Sequence, residues 1–295
     1  MSVLRLRERT IELDPARPLL MGIVNASPES FSDGGRRSGL DEQLAFAHEL
    51  LGAGAAIIDL GGESGVTDRP PVGADEETRR VLPLVRRLAA DGVTVSVDTW
   101  TPAVAHAVVE AGASLINDVS GLRDPAVADA CAASGAGLVI THTRAKPKEK
   151  AFPGYDDPLA DVLAFLRERM GVALERGVDE EQMVVDPGPD FAKTPAETVE
   201  VLRSLGALRE LGRPVLLAVS RKDFVGALTG RPPGERLAGT LAAVGEGVDA
   251  GAAILRVHDV REVADFLRVR AALRGEAKVP EDLRLAEELR RERTA

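Results

Sequence analysis

A single cysteine, Cys131, stands in 295 residues, so no disulfide can close within this chain. Aromatic residues make up only 3% of the sequence, which leaves Ala, Leu and Val to fill the interior. Arg and Lys form no sustained block and the net charge is -10, which argues against non-specific binding to nucleic acid or to an anionic membrane. Any anionic ligand must then be met by local charges. No apolar run approaches the roughly 20 residues of a membrane span, and no secretory-type apolar core stands near the N-terminus. A soluble, cytoplasmic protein is the expectation. The chain also lacks a G-x-G-x-x-G after its first apolar segment, an H-E-x-x-H and a G-x-S-x-G elbow. Dinucleotide, zinc and serine-nucleophile sites each lose their usual signature.

What is present begins with Leu19 to Gly35, LLMGIVNASPESFSDGG. Leu19 to Val24 is uncharged and apolar, the pattern of a strand buried on both faces. Asn25, Ser27, Ser30, Ser32 and Asp33 follow, with Pro28 and the pair Gly34-Gly35. Such a loop suits a metal-bound phosphate, and it equally suits an ordinary βα connection whose polar residues cap the next helix.

The pattern then repeats. Ala55–Leu60, Val93–Val97, Ser114–Ile116, Gly137–Ile140, Met183–Val185, Pro214–Val219 and Ala252–Leu255 are further apolar segments, each followed by polar residues and a helical stretch. Asp41 is placed to cap a helix reaching Leu51, and Thr101-Pro102 to open another with Thr as the cap. Asp59 is the one charge inside these segments. Eight β-then-α units fit a single closed (β/α)8 TIM barrel better than a doubly wound sheet. Residues 1–275 form the expected barrel domain, with Ser2–Arg17 as a short hairpin-like extension, and 276–295 a charged, helical C-terminal tail.

A parallel barrel delivers the C-terminal end of every strand to one rim. Those ends carry Asn25, Glu63 with Ser64, Asp98, Asn117, His142, Asp186, Lys222, and Arg256 with His258. Any one Asp after a strand reads as a helix cap; the succession does not. Asp98, Asn117, Asp186 and Lys222 mix acceptors and donors in a way that suits a flat heterocycle with an amino-pyrimidinone edge. Asn25, Arg256 and His258 come from the first and eighth strands, which adjoin on closure. They suit a phosphate with Mg²⁺, an ion that keeps most of its waters and takes few protein ligands.

N-A-S-P-E-S-F-S-D-G-G at 25–35, G-G-E-S at 61–64, S-V-D-T at 96–99, I-N-D at 116–118, D-P-G at 186–188, F-A-K-T-P at 191–195, S-R-K at 220–222 and R-V-H-D at 256–259 together resemble the dihydropteroate synthases. The resemblance covers about Leu19 to Leu273. It implies a transferase that joins 6-hydroxymethyl-7,8-dihydropterin diphosphate to p-aminobenzoate and releases pyrophosphate, with Mg²⁺ required and Asn25 as its protein ligand. It also implies that Asp98, Asn117, Asp186 and Lys222 hold the pterin, with Arg256 on its face, and that Asn25, Arg256 and His258 hold the diphosphate. Asp98, Lys222 and Arg256 would be the catalytic set. A homodimer is implied as well. The same barrel admits a pterin-binding paralogue with altered second-substrate use, or a pterin-dependent methyltransferase; S-R-K and R-V-H-D, suited to diphosphate, weigh against the latter.

Three departures from the family pattern concern the second substrate. Gly65-Val66 lengthens the second loop ahead of Thr67 and Arg69, which would fill substrate-binding roles there. Asp223 follows the S-R-K lysine where serine is usual, and is expected to place a carboxylate on the amides of the next helix. Pro189-Asp190 replaces small residues and adds negative charge near the rim.

Overall fold

The computed structural model describes residues 2–7, 9–14, 16–26, 39–63 and 72–290. Eight parallel strands run β3 (Leu19–Asn25), β4 (Ile57–Gly61), β5 (Val95–Asp98), β6 (Leu115–Asp118), β7 (Gly137–Thr141), β8 (Met183–Asp186), β9 (Leu216–Leu217) and β10 (Ile254–Val257), and their spatial order is β8-β7-β6-β5-β4-β3-β10-β9. The bridge Val185–Val215, with Val185 N–H donating to Pro214 O at 3.0 Å, brings β8 to β9 and closes the barrel. Helices α1 (Leu40–Gly52), α2 (Ala74–Ala90), α3 (Pro102–Glu110), α4 (Ala126–Ser134), α5 (Pro158–Glu175), α6 (Pro195–Arg203), α7 (Asp223–Thr229), α8 (Leu237–Ala250) and α9 (Val260–Leu273) form the outer layer among the described residues. None of the described helices is long and apolar enough to cross a membrane.

Two apolar clusters hold this arrangement. The larger lies between strands and helices, and Phe165 and Phe224 are its buried aromatics among Val, Leu, Ile and Ala side chains. The smaller fills the barrel at the N-terminal ends of the strands with Met21, Ile57, Leu115, Leu216 and Ile254. The hairpin β1 (Ser2–Leu6) and β2 (Arg9–Leu13) adds Leu4, Leu6 and Leu13, each at most 1% exposed, to that second cluster. The hairpin therefore stoppers one end of the barrel, and chemistry is confined to the other.

Several boundaries differ from the sequence expectation. Gly39, not Asp41, precedes α1, and its N–H meets the Glu42 carboxylate at 3.4 Å while Asp41 lies in the first turn. Thr101 precedes α3, but its hydroxyl turns to Glu77 Oε2 at 3.4 Å instead of capping. The eighth barrel strand runs through Arg256 to Val257, so this arginine projects from the sheet itself. The C-terminal segment is not a helix: beyond α9 the described residues hold one 3-10 turn, Glu287–Leu289. Its Leu283, Leu285 and Leu289 are exposed, and without an apolar face packed on the barrel a short charged helix has nothing to stabilise it.

Candidate active site

The charge inside a strand organises the rim. Asp59, in β4, is 0% exposed. It accepts from Arg256 Nε at 2.6 Å, from Ser96 Oγ at 2.6 Å and from Asn117 Nδ2 at 3.4 Å. Arg256 reaches it from β10, two strands away, and extends its Nη2 to Asp98 Oδ2 at 3.0 Å. One guanidinium thus serves two carboxylates, a geometry its planar fork allows and a lysine could not match. Asn117 gives one amide hydrogen to Asp59, and its Oδ1 is buried without a partner. A buried acceptor left open in this way is costly unless a ligand donates to it.

Asp186 ends β8 at 2% exposed and accepts from Gly188 N–H at 2.7 Å. The turn that follows is tightly specified. Gly188 has φ +64, and a Cβ there would lie 2.0 Å from His142 O, so only glycine fits. Asp190 and Ala192 are also left-handed, at φ 64 and 53. Lys193 holds the turn from inside: its Nζ meets Gly188 O at 3.0 Å, Phe191 O at 3.2 Å and His142 Nδ1 at 2.6 Å. It is 1% exposed, and burial draws its pKa down to about 7, while three acceptors favour the ammonium. His142 Nε2 contacts Asp161 Oδ1 at 2.8 Å. His142 thus belongs to the support of the turn and not to its open face. Lys222, the residue before α7, rests its ammonium 4.2 Å from the Phe191 ring centroid.

The electrostatics follow from burial and crowding. Burial raises Asp98 to about 7, Asp59 and Glu77 push the same way, and Arg256 opposes them. Burial also raises Asp186, against the pull of Lys222. Lys222 is lowered by burial, countered by Asp190 and Asp186. His258 is brought down to about 3, by burial and then by Arg221 and Arg256, and stays neutral. Its backbone N–H donates to Ser220 Oγ at 3.2 Å, and Ser220 Oγ lies 3.0 Å from its Nδ1.

Asn25 ends β3, and Asp98, Asn117, Asp186, Lys222, Arg256 and His258 all stand at the same rim, as the sequence indicates. Thr67 and Arg69 lie outside the described residues. Asp223 corrects the expectation: its carboxylate does not sit on the α7 amides but pairs with Arg236 Nη1 at 3.0 Å, 75% exposed. The same Nη1 also donates to Arg221 O and Lys222 O. The amides are taken instead by Asp190, which accepts from Asp223 N–H at 2.5 Å and Phe224 N–H at 3.2 Å. Asp223→Ser should therefore change kcat/KM by less than about threefold in steady-state assays, since an exposed pair contributes little. Two residues escaped the sequence reading. Asp59 was visible as the lone charge in an apolar strand, and Lys193 as a member of F-A-K-T-P.

Residues 21–258 match the family described as pterin binding enzyme. The chain is similar to dihydropteroate synthase of Bacillus subtilis, 43% identical over 259 residues, which cover 87% of this chain and 89% of that protein. The dihydropteroate synthase of Escherichia coli is 37% identical over 87% of this chain and 92% of that one. Among solved structures, Xanthomonas albilineans dihydropteroate synthase with 4-aminobenzoic acid superposes with a TM-score of 0.85 at 42% identity, covering 95% of this chain and all of that one. The same enzyme in complex with 7,8-dihydropteroate gives a TM-score of 0.81.

Proposed function

The chain belongs to the pterin-binding enzymes and, among them, to the dihydropteroate synthases, and from that membership we propose how its residues divide the work. The reaction transfers the 7,8-dihydropterin-6-ylmethyl group to p-aminobenzoate, in folate biosynthesis. The donor in our reading is the pterin diphosphate. One observation carries it: Asp59 and Asp98 converge on Arg256 with the open Asn117 acceptor beside them, a set of polar groups buried for a ligand's sake.

Asp98 and Asp186 present carboxylate oxygens to the pterin's N–H edge, Asn117 Oδ1 accepts one further hydrogen, and Lys222 donates to its carbonyl side. Asp59 does not touch substrate; it fixes Arg256. Arg256 and His258 receive the diphosphate. As the C–O bond to pyrophosphate breaks, positive charge develops on the pterin methylene and negative charge on the leaving oxygens. The carboxylates meet the first and the cations the second. The neutral arylamine nitrogen then bonds to the methylene carbon and loses a proton to water, so alignment is the site's task and no strong base is required.

Mg²⁺ would neutralise diphosphate charge when bound. A single neutral oxygen at Asn25, at the end of β3 beside the proposed diphosphate site, suits the few protein ligands this ion takes. A homodimer is supported by Val269 and Leu273, 59% and 83% exposed one helical turn apart on α9. A cytoplasmic location agrees with the bacterial relatives.

The test is direct. Purified protein given Mg²⁺ and 6-hydroxymethyl-7,8-dihydropterin diphosphate should release pyrophosphate when p-aminobenzoate is added. No release across a broad panel of arylamines would reject the enzymatic reading.

A further inference from the structure

Asp190 adopts a left-handed backbone, φ 64, that disfavours a residue with a Cβ. Its side chain explains why an aspartate is nonetheless held there. Both carboxylate oxygens reach α7: Oδ2 accepts from Asp223 N–H at 2.5 Å and from Phe224 N–H at 3.2 Å, and Oδ1 lies 3.3 Å from Phe224 N. The Asp190 N–H is held in turn by Thr198 Oγ1 of α6 at 3.1 Å, and that hydroxyl also meets Oδ1 at 3.4 Å. The carboxylate is thus a bracket between the β8–α6 turn and the first turn of α7.

The residues next in line at each end of this bracket are the ones that matter to the site. Phe191 follows Asp190, Lys222 precedes Asp223, and the Lys222 ammonium stands 4.2 Å from the Phe191 ring centroid. Phe191 is fixed from its other side by Lys193 on its carbonyl. Lys222 is held at its own carbonyl by Arg236 Nη1 at 3.0 Å, and the amides that follow it in α7 are held by Asp190.

We propose that Asp190 is a positioning residue for pterin binding: by latching α7 to the β8–α6 turn it holds Lys222 against Phe191 and so sets the reach of the ammonium. The proposal rests on the pterin-site reading above but not on turnover. An interaction that acts alike on bound ground state and transition state appears in affinity and KM and spares kcat.

Two variants isolate the effect. Asp190→Gly removes the carboxylate while suiting the left-handed backbone, so folding is not the casualty. Asp190→Asn keeps an acceptor oxygen for the α7 amides. Equilibrium titration with 6-hydroxymethylpterin diphosphate should give a Kd raised about tenfold in Asp190→Gly and restored to within about threefold in Asp190→Asn, with KM moving in parallel and kcat within about threefold throughout. The proposal is overturned if Asp190→Gly binds as the natural protein does, if Asp190→Asn binds as poorly as Asp190→Gly, or if kcat falls while Kd holds. Failure of the natural protein to bind the pterin at all overturns it too. Tight binding without turnover in the presence of p-aminobenzoate would count against the reaction and leave the Kd comparison to decide the latch.

Discussion

Arg256→Met should lower kcat/KM for the pterin diphosphate by about a thousandfold and destabilise the fold by about 3 kcal/mol at pH 8, the two effects having separate causes. The first is loss of a cation at the diphosphate as charge builds on the leaving oxygens. The second comes from Asp59. Fully buried in β4, it keeps Ser96 and Asn117 as donors when the guanidinium is gone, but both are neutral. A buried carboxylate facing only neutral donors destabilises its surroundings, and Asp98, which burial already raises to about 7, loses the same guanidinium and takes up a proton more readily. Protonation in the folded state and not in the unfolded one makes the native chain the greater binder of protons. Stability of the variant should therefore fall as pH rises through the range where Asp98 ionises. Urea denaturation at pH 5.5 and 8 measures this. The double variant Arg256→Met with Asp59→Asn should recover most of the lost stability and none of the activity, because only the charge imbalance is repaired. If the double variant regains activity, Arg256 acts through Asp59 and not at the substrate.

That pairing marks the limit of what the sequence discloses. Eight apolar segments with polar residues after each are enough to set the barrel, because alternation of strand and helix leaves few closed topologies. The rim follows from the barrel, and with it Asp98, Asn117, Asp186, Lys222 and Arg256. Contacts across the interior do not follow. Asp59 and Arg256 are separated by 197 positions and come from strands that are not neighbours, so the partner of the one charge in a buried strand is fixed only once the barrel has closed. The cap of α7 was misplaced for a related reason. Proximity in sequence favoured Asp223, yet a carboxylate from a left-handed turn 33 residues away reaches the amides and leaves Asp223 to Arg236. No local pattern announces three left-handed residues within Gly188 to Ala192, two of them with side chains. The C-terminal segment failed in the opposite direction, since charge and leucine content suggested a helix where the chain buries too little to make one.

Asp98→Asn should cost about 4 kcal/mol in transition-state binding, roughly a thousandfold in kcat/KM, and should remove an acid limb from the pH profile. The carboxylate of Asp98 accepts; an amide in its place must turn one N–H toward the pterin's own donors. Two hydrogen bonds are lost and a donor faces a donor. In the natural protein this oxygen pair is available only when ionised, and burial holds the group at about 7, well above the ordinary aspartate range. A group that must be deprotonated to bind gives kcat/KM rising with pH and levelling above its free-enzyme pKa. The profile should therefore climb about tenfold per pH unit below 7 and flatten above it. His142 and His258, each near 3, contribute nothing over this range. Glu77, itself raised to about 7 by burial, adds to the negative potential at Asp98. Replacing it with glutamine should move the limb to lower pH and leave its height unchanged, whereas Asp98→Asn should leave a profile flat from pH 6 to 8. A limb that persists unshifted in both variants would belong to another group, and Asp98 would not then be the acceptor that binds the ring.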